Sequence, residues 1–416
     1  MSRANGTSAV VRNRHYGQTM TSASQEAARI TGSSVIYLDN NASTEPDPLV
    51  VQAVNDASIR LFANPSSTHH GPGHLAASAI YAAREEVAGL MGVRPSEVIF
   101  TSGATESDNL AIKAVWAGRQ ATDPRRNRLV IGATEHPAVL NAALALAPAG
   151  AEVVLAPVDP SGRIDVESLA GLVDERTLFV SIMAANNETG TVNALGDIAA
   201  CAHAVGAFVH TDATQLVGRL PFSMDDLDLV SVSGHKMHGP KGVGALICRR
   251  NVPLGRLFDG GDQERGRRAG TLNTPGIVGF GVAARLATER LSESTAIAGV
   301  RDYLHSRIEA STGDVVLNGH ETNRLPNTLN LRFRGADAEA LMAAMPSVVC
   351  SAGSACHSGA PGPSHVLLAM GLTREEAQQS LRFSTSRTTT REDADRAAAA
   401  IAEAVAYVRT AVTVHG

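Results

Sequence analysis

Lysine is scarce in this chain of 416 residues: Lys113, Lys236 and Lys241 are the three among 36 basic side chains, leaving 33 arginines. Arginine stays protonated and forms no imine, whereas a desolvated lysine can lose its proton and attack a carbonyl. Lys236 lies in Ser231-Val-Ser-Gly-His-Lys-Met-His-Gly-Pro-Lys-Gly-Val-Gly-Ala-Leu246. An apolar run over 228–232 stops there at Ser233-Gly234-His235-Lys236, and a second run resumes over 243–248. The pattern predicts a strand, a tight polar loop and another strand, with the lysine at the mouth of the first. Two readings stand open on this stretch alone, a solvated turn lysine and a Schiff-base lysine.

Other residues supply what an imine-forming aldehyde cofactor with a phosphate would need. The strand predicted over 97–101 ends in Ser102-Gly-Ala-Thr-Glu-Ser107, ahead of a helix carrying Leu110, Ile112 and Val115. A small-residue loop opening a helix offers unpaired N–H groups and the positive end of a dipole, so it suits a phosphate; hydroxyls of Ser102 and Thr105 would add bonds, or would simply cap the helix. No G-x-G-x-x-G or lysine-bearing nucleotide loop occurs. Asp212, at a strand end in Thr-Asp-Ala-Thr-Gln215, could hold a ring nitrogen protonated, the feature that makes pyridoxal phosphate an electron sink; its plain reading is an N-cap. His136 could stack on such a ring or carry protons, against a purely structural role. Arg382 suits bidentate grip of a carboxylate.

Cys356 lies in Ser351-Ala-Gly-Ser-Ala-Cys-His-Ser-Gly-Ala-Pro-Gly-Pro363, a stretch with almost no packing bulk. The composition predicts a mobile loop and an accessible thiol, whose pKa His357 could depress. Cys201, Cys248 and Cys350 lie among aliphatic residues. Cys350, Cys356 and His357 lack a second ligand pair, so no metal site is expected.

The elements that must position these groups alternate. Short apolar strands over 129–131, 153–155, 178–183 and 207–211 interleave with helices near 166–173 and 195–205, which predicts an α/β fold with a largely parallel sheet covered on both faces. Polar residues cluster just after the strands, where such sheets bind ligands, so Thr105, His136, Asn187, Asp212, Gln215 and Lys236 should face one crevice. Near the N-terminus, 35–38 reads as a strand and Pro48 opens a helix whose buried stripe is expected at Leu49, Ala53 and Ile59. A helix-rich stretch runs from about 276 past 308. The last hundred residues (strand 328–333, helix 336–345, strand 380–384, a terminal amphipathic helix) form a smaller α+β domain.

The expected organisation is a disordered extension over 1–33, a large domain over 34–290 with 34–48 contributing to the small one, and a small domain over 291–416. The extension is polar and lacks the apolar core of a secretory signal; Met20 is a candidate alternative start. A net charge of −5 argues against a general nucleic-acid or acidic-membrane surface. No uncharged apolar run reaches the roughly 18 residues of a membrane span. Four cysteines without framework spacing point to a reducing, cytoplasmic compartment.

Ser-Gly-His-Lys236-Met-His-Gly-Pro-Lys-Gly, Thr-Asp212-Ala-Thr-Gln215, Thr-Ser-Gly-Ala-Thr105-Glu-Ser, Thr-Glu-His136, Asn-Asn187-Glu-Thr-Gly and Ser-Ala-Gly-Ser-Ala-Cys356 together resemble the cysteine desulfurases. These belong to the class V aminotransferase group of fold-type I pyridoxal-phosphate enzymes. The resemblance runs from about Tyr37 to the C-terminal helix, and implies a mostly parallel seven-stranded sheet and a homodimer. It implies that Lys236 binds pyridoxal 5'-phosphate and shuttles the Cα proton, Asp212 pairs with the pyridinium nitrogen, Gln215 bonds the ring hydroxyl and His136 stacks on the ring. Ala104, Thr105, Ser233 and His235 would hold the phosphate, with Thr271 reaching in from a second subunit. Arg382, Asn187 and Asn41 would hold the carboxylate of L-cysteine. Cys356 would take the substrate sulfur as a persulfide, releasing L-alanine and passing sulfur to an acceptor such as an iron–sulfur scaffold or a sulfur carrier. Ala-Cys-His357-Ser, Gly-Gly-Asp-Gln-Glu-Arg265 and Arg-Leu-Pro-Asn-Thr328 are also similar to selenocysteine lyases, which makes selenium release from selenocysteine the alternative. An ordinary aminotransferase would leave Cys356 incidental, and a non-catalytic sulfur relay would leave Lys236 and Asp212 unexplained.

Overall fold

The structure, a computed structural model, describes residues 35–120, 122–352 and 362–415. The expected extension over 1–33, the candidate start Met20, and Cys356 with His357 lie outside the described residues. The described residues from Ile36 onward form one compact unit.

Seven strands make the central sheet: β2 (Val98–Thr101), β3 (Arg128–Gly132), β4 (Glu152–Ala156), β5 (Thr177–Ser181), β6 (Phe208–Asp212), β7 (Leu229–Ser233) and β8 (Gly244–Cys248). Their spatial order is β2-β8-β7-β6-β5-β3-β4. All run the same way except β8, which is antiparallel to both neighbours. The strands read as continuous apolar runs because both faces are covered. In β2, Val98 and Phe100 enter one core while Ile99 enters the other, following the period-2 alternation of strand side chains. Phe100 and Phe179 fill opposite faces, and truncating either to alanine should cost about 3–5 kcal/mol. The parallel direction brings the chain after Thr101, Gly132, Ser181, Asp212 and Ser233 to one edge of the sheet. The connection from β7 to antiparallel β8 turns at that same edge and carries Lys236, as the sequence predicts.

The C-terminal part adds a four-stranded antiparallel sheet, β12-β13-β10-β9, from β9 (Val315–Asn318), β10 (Thr328–Phe333), β12 (Ser351–Ala352) and β13 (Ser380–Ser384). Helices Ser294–Thr312 and Arg391–His415 cover it through Leu304, Ile308, Ala397 and Ile401, against Leu331, Phe333 and Phe383. At the N-terminus β1 (Ile36–Tyr37) pairs in parallel with β11 (Val348–Val349), and Ile36 and Leu38 are buried in this second core.

One local expectation fails. Helix Pro48–Arg60 buries Val50 and Ala57 rather than Leu49 and Ile59, which are 48% and 74% exposed. Asp47 caps the helix by accepting from the Leu49 N–H, and that start sets the phase one residue away from the stripe chosen by hydrophobicity alone. The helix-rich stretch expected from 276 past 308 is present, as two helices, Thr274–Glu289 and Ser294–Thr312, separated by a 3₁₀ turn at Leu291–Glu293.

Candidate active site

A cavity of about 480 Å³ opens at that sheet edge, walled by Asn41, Ala104, Thr105, His136, Asn187, Asp212, Gln215, Ser233, His235 and Lys236 among others. One crevice thus unites residues from six separate connections, including all six expected to converge.

Helix Ala104–Gln120 begins directly after β2, and its first N–H groups have no intrahelical acceptor. Ser102 donates its N–H to Glu106 Oε2 (2.8 Å), and Glu106 is gripped by Arg268 at 2.8 and 3.2 Å. Glu106, which lines the cavity together with Ala104 and Thr105, thus ties the Ser102 loop to Arg268. Gly244 of β8 allows the close approach beneath this loop, since a Cβ there would lie 2.7 Å from Gly103 Cα. Ser233 and His235 stand across the cradle. Burial and the charges of Lys236, Lys241 and Arg219 lower the His235 pKa to about 4, so its ring is neutral at physiological pH.

Lys236 lies in the 3₁₀ turn Gly234–Lys236, with its Nζ donating to the carbonyl oxygens of Asn41 and Ala42 (2.8 Å to the latter). Asp212 is 7% exposed, and its Oδ1 accepts from the Thr214 N–H at 2.9 Å. His136 caps helix Pro137–Leu144 through Nδ1, which accepts from the Ala138 N–H at 3.1 Å; a neutral ring therefore carries its proton on Nε2. Gln215 Nε2 donates to Asn41 O at 3.0 Å.

On the far wall, Asn41 Nδ2 donates to Asn187 O (3.1 Å) and Thr328 Oγ1 (2.8 Å). Arg382, on β13, is not part of the cavity wall. It is 2% exposed, its Nη2 pairs with Asp39 Oδ1 at 2.7 Å and its Nη1 donates to Asn187 O. Thr271 is exposed and does not reach the cavity of its own chain. Among the described cysteines, burial raises all three thiol pKa values, Cys248 to about 11 and Cys350 to about 12. Burial thus keeps all three protonated at neutral pH.

Sequence reasoning passed over the groups behind the wall. Asp108 and Glu135 are fully buried carboxyls, both pushed well above the carboxylate range by burial and by the nearby Asp212 charge. Glu188 is buried with its pKa raised to about 7. Arg219 sits behind Gln215. Their only sequence signal is adjacency to motif residues: Glu135 precedes His136, Glu188 follows Asn187, and Arg219 lies four residues after Gln215.

The class V aminotransferase family model matches residues 36–397. The chain belongs to the class V aminotransferases. Within that family it belongs with the cysteine desulfurases. It is 46% identical over 393 residues to a cysteine desulfurase of Frankia sp. (strain EuIK1), covering 90% of this chain and 92% of the relative. It is 44% identical to the cysteine desulfurase IscS of Anaeromyxobacter sp. (strain Fw109-5), covering 90% and 93%. A solved NifS-like protein superposes with a TM-score of 0.83 at 37% identity, covering 90% of this chain and 100% of that one. As a class V aminotransferase the chain uses pyridoxal 5'-phosphate. The residues present fit that group: the cradle between Gly103 and Ser233 presents amide donors suited to a phosphate, and Lys236 and Asp212 line the same cavity. Among the described residues no cluster of metal ligands occurs, and no helix is long and apolar enough to cross a membrane.

Proposed function

We propose that this cavity removes sulfur from L-cysteine, giving L-alanine and a persulfide on Cys356, with each residue acting as follows. The observation that carries the reading is the placement of Lys236, Asp212 and the Ala104–Thr105 helix start around one cavity. Pyridoxal phosphate, held there, supplies the electron sink that makes the substrate Cα proton acidic. Ala104, Thr105, Ser233 and His235 bind its phosphate, Asp212 keeps its ring nitrogen protonated, Gln215 donates to its ring oxygen and His136 covers its face. Lys236 must leave the Asn41 and Ala42 carbonyls to do its work, and it then carries the Cα proton. Asn41 and Asn187 orient the substrate carboxylate, and Arg382 joins them once released from Asp39.

The sulfur step balances without an external oxidant. The Cys356 thiolate bonds to the substrate sulfur, the Cβ–S pair returns to Cβ, and a proton there completes L-alanine. We further place Cys356 in a C-terminal part over 291–416 that serves a cofactor-holding part over 34–290. The three described cysteines are unpaired, which supports a reducing, cytoplasmic setting. Thr271, exposed in its own chain, supports a homodimer in which it completes the partner's phosphate cradle. The sulfur then goes to an acceptor protein.

The test supplies L-cysteine or L-selenocysteine to wild type and to Cys356→Ala, measuring alanine and the mass of the Cys356 peptide. The expected result is alanine from cysteine with a 32 Da adduct on wild type, roughly the mass of one sulfur, and loss of cysteine turnover in the variant. Alanine release undiminished in Cys356→Ala, with no adduct on wild type, would overturn the assignment. Turnover of selenocysteine alone would replace it with the lyase reading.

A further inference from the structure

Arg219 is buried, 8% exposed, and sits immediately behind the cavity wall. It makes no ion pair with a carboxylate among the described residues, although a guanidinium is costly to bury. Burial lowers its pKa to about 10, so it remains charged at neutral pH. Its donors go to three neutral oxygens: Nη1 to Gln215 O (2.6 Å) and Gln215 Oε1 (2.7 Å), and Nη2 to Lys236 O (3.1 Å). Gly218, at φ +78°, turns the chain so that Arg219 lies back against Gln215, four residues before it.

The chemistry of the two side chains makes this arrangement directional. A glutamine amide has one acceptor end and one donor end, while a guanidinium offers donors only. With Oε1 claimed by Arg219, the Gln215 amide must present its NH₂ on the other side, where it donates to Asn41 O at 3.0 Å. That carbonyl also receives the Lys236 Nζ. We propose that Arg219 is a positioning residue for the cofactor: one planar fork fixes the Gln215 amide with its donor toward the cavity and holds the backbone of the Lys236 turn in register with it. The inference rests on the reading of this cavity as the pyridoxal-phosphate site. A lysine at 219 would keep the charge but cannot span both acceptors with a rigid fork, so arginine is needed for shape as well as sign.

The competing view is a structural tie, since Ser294 Oγ also donates to the Arg219 carbonyl at 2.5 Å. The experiment measures the dissociation constant of pyridoxal phosphate and the absorbance maximum of the bound cofactor in wild type, Arg219→Lys, Gln215→Ala and the double variant, alongside melting of each cofactor-free protein. Arg219→Lys is expected to weaken binding about tenfold and shift the absorbance maximum. The same change in the Gln215→Ala background is expected to weaken it less than about threefold, the non-additivity that marks one residue acting through another. Equal losses in both backgrounds, unchanged cofactor binding in Arg219→Lys, or a loss tracking the drop in cofactor-free melting temperature would each overturn the proposal. Failure of wild type to bind pyridoxal phosphate would instead remove the underlying reading.

Discussion

The two walls of the cavity are built on different principles. The wall bearing Lys236, Asp212 and Thr105 rises from the ends of β7, β6 and β2 of the central sheet, and there Lys236 and Asp212 bond to backbone groups. The opposite wall joins segments far apart in sequence, with Asn41 reaching Asn187, Thr328 and Asn327, and it is backed by an ion pair, Arg382 with Asp39. Bonds to backbone oxygens hold no second charge in place, so in the proposed reaction the first wall gives up its Lys236 contacts to a resident cofactor. If Arg382 binds the substrate carboxylate as proposed, its ion pair with Asp39 must open for every substrate molecule, which would make the second wall an exchange site.

The largest effect should come from breaking the permanent wall. Lys236→Ala would remove the proposed imine-forming amine and proton carrier together, and turnover should fall below about a thousandth of wild type. The absorbance of covalently held cofactor should vanish while non-covalent pyridoxal phosphate still binds through the phosphate cradle. Retained covalent absorbance in that variant would transfer the role to Lys113 or Lys241.

The exchange wall should respond through KM. Asp39→Asn keeps an oxygen acceptor for Arg382 but removes the competing charge, so KM for cysteine should fall by about tenfold, equivalent to about 1.4 kcal/mol. Arg382→Lys loses the bidentate geometry and should raise KM by roughly tenfold or more at little cost in cofactor affinity. An unchanged KM in Asp39→Asn would show that substrate never competes for Arg382, and the contrast between the walls would collapse.

The parallel sheet and its ligand edge were legible in the sequence because fully buried strands are continuous apolar runs that end in polar loops. Lys236, Asp212 and Thr105 could be placed from that alone. The far wall was legible only in part. Asn41, Asn187 and Arg382 could be named through family resemblance, but no local pattern says that Arg382 faces Asp39 across more than three hundred residues. Arg219 and Asp108 escaped for a related reason: one is among 33 arginines and the other is a common helix residue, and only burial without a counter-charge distinguishes them. The helix Pro48–Arg60 was misphased because Leu49 and Ile59 are apolar yet exposed, and periodicity cannot tell an exposed stripe from a buried one.

The last prediction concerns stability rather than turnover, and tests whether a charge can be tolerated behind the wall. Glu188 follows Asn187, is fully buried, and its Oε2 accepts from Ser364 Oγ at 2.5 Å. Burial raises its pKa to about 7, opposed by the Ser364 hydrogen bond and by Arg382. In the unfolded chain it titrates near its ordinary value of 4.5. Between those values the folded protein holds a proton that the unfolded chain has released, so folding is favoured most below pH 4.5. The contribution is lost as pH rises through about 7 and is flat above it. The span amounts to about 3 kcal/mol as an upper figure. Glu188→Gln keeps an acceptor for Ser364 and cannot ionise. Its melting temperature should therefore decline less than that of wild type between pH 5 and 8, with the gap opening mainly below pH 7. Parallel melting curves would mean that Glu188 is already ionised at pH 5 and that Arg382 offsets its charge, tying the two walls into one electrostatic unit.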